Sequence, residues 1–66
     1  MNVTVNGATD DLPAGTSVDD VVTRLGRGRS GIAVAVNDEV VPRSRWPAVD
    51  LADGDRVEIL SATQGG

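Results

Sequence analysis

The chain has 66 residues, a formal charge of −4 and an isoelectric point near 4.3, enough material for one small domain with one core. It contains no cysteine, histidine or lysine, which excludes disulfides, thiolate and imidazole catalysis, zinc-finger ligand sets and Schiff-base chemistry. With six arginines against ten acidic residues and Trp46 as its only aromatic, it lacks the cations and stacking rings that nucleic-acid binding rests on.

No apolar run reaches the roughly 18–20 residues of a membrane span, and Met1 leads straight into a strand-like segment with no signal-peptide pattern. The expectation is a cytoplasmic protein, monomeric when free, that binds neither nucleic acid nor membrane. An acidic surface of this kind serves solubility first and steering toward a basic partner second.

Residues 1–6 alternate apolar and polar side chains and predict a strand with one buried face. Asn6-Gly7 is a strong hairpin signal. Residues 9–12 form the expected return strand, weakened by Asp10-Asp11 and therefore placed at an edge guarded by charge. Pro13-Ala14-Gly15 breaks it. Ser17 then caps a helix, with Asp19 and Asp20 in its first turn. Val18, Val21, Val22 and Leu25 fall on one face, and Gly26 suits the position just past the end. A helix of about two turns cannot persist alone in water and must pack on a sheet.

Residues 27–31, rich in arginine and glycine, read as a linker; no phosphate-loop or dinucleotide spacing is present. Residues 32–37 are the most apolar stretch and predict a strand with both faces at least partly covered. Asn37-Asp38 turns the chain, Val40-Val41 is a short strand, and Pro42 stops it. Residues 43–48 read as irregular. Asp53-Gly54-Asp55 reads as a tight turn rather than a calcium loop, which needs more ligands at regular spacing. Residues 56–60 alternate and form the last strand, with Val57 and Ile59 inward and Arg56 and Glu58 outward. The expected core holds Val21, Val22, Ile32, Val34, Val57 and Ile59. Trp46 closes one end of that core in preference to serving as a partner anchor. Arg43 is expected to pair with Asp50 or Asp53.

Two hairpins flanking one helix, followed by a final strand, make an α+β roll: one mixed sheet with the helix on one face. The domain spans residues 1–61, and residues 62–66 form a flexible tail. That tail ends on Gly65-Gly66, an α-carboxylate with no Cβ beside it on either of the last two residues. Such an end passes through a channel that any side chain would block. At ordinary glycine usage two such residues close a chain by chance in roughly one case in 200.

Val36-Asn37, Val40-Val41-Pro42-Arg43, Trp46, Asp53-Gly54-Asp55 and Gly65-Gly66 together resemble the ThiS family, sulfur carriers of thiamine biosynthesis. The likeness runs the whole chain, from Val5-Asn6-Gly7 and Ala14-Gly15 onward. Asp-Gly-Asp and Gly-Gly are shared with the molybdopterin-synthase small subunit, but residues 60–63, Leu-Ser-Ala-Thr, lack the prolines common there. Gln64 departs from the small or apolar residue usual at its position, which bears on partner fit.

The resemblance implies a ubiquitin-like β-grasp fold and a protein that is not itself an enzyme. It implies that an E1-like adenylyltransferase (ThiF type) uses ATP and magnesium to adenylate the Gly66 carboxylate. A sulfurtransferase or cysteine desulfurase then supplies persulfide sulfur, giving a thiocarboxylate for thiazole synthase (ThiG type). Thr63, Gln64, Gly65 and Gly66 are the expected partner-binding residues. No cofactor or metal is expected on the chain itself. The remaining alternatives are a molybdopterin-type sulfur donor and a non-covalent ubiquitin-like binding module.

Overall fold

The computed structural model describes residues 1–25 and 31–61. Five strands and one α-helix follow in the order β1 (Asn2–Val5), β2 (Ala8–Asp11), α1 (Val18–Arg24), β3 (Ile32–Val36), β4 (Glu39–Val41), a 3₁₀ helix (Arg43–Ala48) and β5 (Arg56–Ser61). The sheet runs β2-β1-β5-β3-β4, so the last strand in sequence occupies the centre. β1 and β5 are parallel, and the other neighbours are antiparallel. This mixed sheet with a single helix is the β-grasp architecture the element order implies.

Turn chemistry sets both hairpins. Asn6 and Gly7 take φ of 51° and 84°, the pair of positive values a two-residue primed turn requires, and Val5 faces Ala8 across it. Asn37 and Asp38 do the same with φ of 52° and 71°, setting Val36 opposite Glu39. Asp38 is held there by an ion pair with Arg56 at 2.6 Å. All four residues of β2 are exposed, as suits a charged edge strand.

The helix starts with a reciprocal cap. Ser17 Oγ accepts from Asp20 N at 3.1 Å, and Asp20 Oδ2 accepts from Ser17 N at 3.0 Å. Two further backbone bonds, Val18 N to Val49 O and Leu51 N to Thr16 O, both 2.9 Å, tie the helix entrance to the segment before β5. Val18, Val21 and Val22 are buried. Leu25 lies on that face at the C-cap, 45% exposed, where it lines a shallow cleft of about 130 Å³ with Val5, Asp10, Leu12, Val21 and Arg24. Gly26, the expected terminator, and the linker at 27–30 lie outside the described residues.

Val21, Val22, Val34, Val57 and Ile59 are core residues as expected, joined by Val3, Leu12, Val18, Leu51 and Trp46. Ile32 is a correction. It is only partly buried, because it opens β3 opposite Ser61 at the end of the sheet. Its neighbour Ala33 is exposed while Ala35 on the same face is half-buried, so the second face of β3 is only partly covered.

Residues 43–48 are also a correction. They form a 3₁₀ helix that contains Pro47 and buries Trp46 to 1% exposure. Proline's missing N–H is tolerated in so short a turn, where few backbone donors have intrahelical partners. Trp46 Nε1 donates to Val41 O at 2.9 Å, so the indole is fully satisfied inside the core and does not serve as an exposed anchor. Arg43 makes no ion pair among the described residues; Asp53 Oδ1 instead accepts from Asn2 N at 2.6 Å.

Candidate functional site

The chemistry expected of this chain sits at its C-terminus. Thr63, Gln64, Gly65 and Gly66 lie outside the described residues, as does the whole segment 62–66. What the structure defines is the base from which they depart. β5 is held on one side by five register pairs with β3, from Ile32↔Ser61 to Val36↔Val57. On the other side it pairs with β1 only at Thr4↔Arg56 and Val5↔Val57, because β1 ends where its hairpin turns.

Side chains finish the ladder where strand backbone stops. Asn6 Oδ1 accepts from Ile59 N at 2.8 Å, and Asn6 Nδ2 donates to Ile59 O at 3.2 Å. At the other end of β5, Asn37 Oδ1 accepts from Arg56 N at 2.9 Å and Asn37 N donates to Arg56 O at 2.8 Å. Asn37 Nδ2 reaches Asp55 Oδ1 at 3.0 Å. The two hairpin asparagines therefore clasp the two ends of the central strand. The sequence marks both as turn residues. Their second role was not legible, because Asn-Gly and Asn-Asp are sufficiently explained by backbone conformation.

The Asp53-Gly54-Asp55 turn launches β5. Gly54 has φ 88° and its N–H donates to Asn2 O at 2.6 Å. Asp55 Oδ2 accepts from Ala52 N at 2.7 Å, closing the turn. These carboxylates serve backbone donors and the Asn37 side chain, and no group of three acidic or other ligating side chains among the described residues is arranged to hold a metal. The Arg56 pKa is raised, first by its hydrogen bond to Asp38 and then by that carboxylate's charge. The guanidinium is thus a permanently charged surface group.

β5 alternates strictly. Val57 and Ile59 face the helix, while Arg56, Glu58 and Leu60 face away. Register puts Ala33 beside Leu60, and Ala35 between Glu58 and Val40, on that uncovered face. Leu60 is 66% exposed and Val40 is 72% exposed. β5 therefore ends beside a small apolar strip.

Comparison with known proteins bears on what such a base carries. The family model described as "ThiS family" matches residues 3–66. The chain belongs to the ThiS family. The match reaches the terminal Gly65-Gly66. The sulfur carrier protein ThiS of Escherichia coli is 29% identical over the full length of both chains. That of Thermus thermophilus is 34% identical over 97% of this chain and 98% of its own. A thiazole synthase of Paramagnetospirillum magneticum is 33% identical over all of this chain, which spans only 20% of that larger protein. A solved structure, the thiamine biosynthesis protein ThiS of Geobacter metallireducens, superposes with a TM-score of 0.83 at 32% identity, covering both chains completely. Among the described residues, no helix of this ThiS-family chain is long and apolar enough to cross a membrane.

Proposed function

We propose that this chain is a sulfur carrier of thiamine biosynthesis that works through its Gly66 carboxylate. The observation that carries the reading is the family match over residues 3–66, which includes Gly65-Gly66, in a chain with no cysteine, histidine or lysine. A carboxylate is anionic and has a poor leaving group, so it must be activated before a nucleophile can displace an oxygen. A ThiF-type adenylyltransferase transfers AMP from magnesium-bound ATP to Gly66 and releases pyrophosphate. A persulfide from a sulfurtransferase or cysteine desulfurase attacks the acyl carbon and expels AMP. A second thiol then cleaves the acyl disulfide, leaving the thiocarboxylate on Gly66 and a disulfide on the donor. The catalytic side chains belong to the partners, and this protein is a reagent rather than an enzyme.

Thiazole synthase is the proposed acceptor. Support comes from two thiazole synthases, each of which contains a stretch similar to the whole of this chain within about a fifth of its own length. Joining donor and acceptor in one polypeptide makes their encounter intramolecular, which is useful only if the two act together. Delivery to successive partners needs reach. Five residues beyond Ser61, fully extended, span up to roughly 17 Å.

The test is loading in vitro. With an active adenylyltransferase, ATP, magnesium and a persulfide source, the intact mass should rise by the difference between sulfur and oxygen. Fragmentation should assign the gain to Gly66. An unchanged mass beside a partner that loads a known carrier would refute the reading.

A further inference from the structure

Resting on the sulfur-carrier reading, we propose that Asn6 is a positioning residue for loading of Gly66: its carboxamide holds the end of β5 from which the reacting terminus is presented. The hairpin ends β1 at Val5, and the last backbone bond from this side is Asn6 N to Val57 O at 2.9 Å. β5 runs on for four more residues, to Ser61. Its β3 edge stays paired to the end, but Ile59 would face no strand on its β1 edge. The Asn6 side chain takes that place, accepting from Ile59 N at 2.8 Å and donating to Ile59 O at 3.2 Å.

A primary amide is the group that imitates a peptide in this way, offering one acceptor and one donor side by side. Aspartate offers acceptors alone. Glycine offers neither, yet keeps the positive φ of 51° that this turn position demands. Asparagine is one of the few side-chain-bearing residues that adopt that conformation readily. The residue thus satisfies the turn and the strand end at once.

The consequence for loading is entropic. A strand end held on both edges presents the following residues from a fixed origin. A strand end held on one edge frays, and that freedom must be removed each time Gly66 is brought to the reacting phosphate. The loss falls on turnover. Docking of the folded domain is left alone, because misplacement of a reacting atom affects the rate steeply.

Asn37 supplies the control, since it clasps the opposite end of the same strand with a similar side-chain acceptor and a similar positive φ of 52°. Asn6→Gly and Asn37→Gly are compared with the unaltered chain in steady-state adenylation by a ThiF-type partner. Both should lose stability by similar amounts and keep the same half-saturating concentration. Turnover should fall about 10-fold for Asn6→Gly and stay within about two-fold for Asn37→Gly. Amide exchange at Ile59 and Leu60 should quicken only in the first.

Equal turnover in the two variants would overturn the proposal, leaving Asn6 a structural residue. If Asn6→Gly fails to fold, Asn6→Asp keeps the turn and the acceptor and loses the donor. Its turnover should still drop at least about three-fold at unchanged half-saturation, and a normal turnover would overturn the proposal. If the unaltered chain is not adenylated by a partner shown to be active, the carrier reading itself fails, and this inference fails with it.

Discussion

The two faces of the sheet do different work. The face under α1 carries Val3, Val34, Val57 and Ile59, all buried, and the 3₁₀ helix adds Trp46 at its margin. The opposite face carries Thr4, Arg56, Glu58 and Leu60, and no helix covers it among the described residues. Both are built from the same strands, one residue apart. Stability is concentrated on the first, while the second leaves Leu60, near the end of β5, exposed. In a chain this short, alternation along one central strand is enough to separate a buried face from an exposed one.

That contrast breaks most visibly at Ile59. Ile59→Ala removes a side chain that is 6% exposed and should cost about 2–5 kcal/mol, the usual range for a buried large-to-small change. A domain of this size has little more than about 5 kcal/mol in total. The expected result is a largely unfolded population by circular dichroism, and an unchanged urea midpoint would contradict the core assignment. Ser17→Ala tests the helix entrance. Losing the side-chain half of the reciprocal cap should lower stability by about 1 kcal/mol in urea denaturation while the fold persists. The smallest effect is expected one residue from the largest. Leu60→Ala alters a side chain that is 66% exposed and should change stability by no more than about 0.5 kcal/mol. A loss comparable to that at Ile59 would mean the two faces are not distinct.

Much of this was legible in the residues. Asn6-Gly7 and Asn37-Asp38 specify primed turns through backbone conformation alone, and both hairpins form there. Ser17 with Asp20 specifies the helix start, and alternation specifies which side of β5 is buried. Each of these signals is local, so each can be read without knowing the rest of the chain.

What was missed depends on partners far apart in sequence. Leu12 and Leu51 stand alone among polar or breaking neighbours, with no period to mark them, yet both are buried. Pro47 suggested a break, whereas burial of Trp46 winds residues 43–48 into a 3₁₀ helix. Ile32 has the right residue type but opens β3 at the end of the sheet, where it is only partly buried. Asn6 was visible as a turn residue, but its bonds to Ile59 join positions 53 apart in the chain. The proposed site at Gly65-Gly66 lies outside the described residues, and the family match over residues 3–66 extends to it.

The claim that fold and chemistry are separable is tested most directly by deleting Gly65 and Gly66 and making two measurements on the same preparation. The urea midpoint should match that of the full chain within about 0.5 kcal/mol of stability, as for surface changes in general. Adenylation by a partner that loads the full chain should be absent. A shortened chain that is still adenylated, or one that unfolds, would contradict the account.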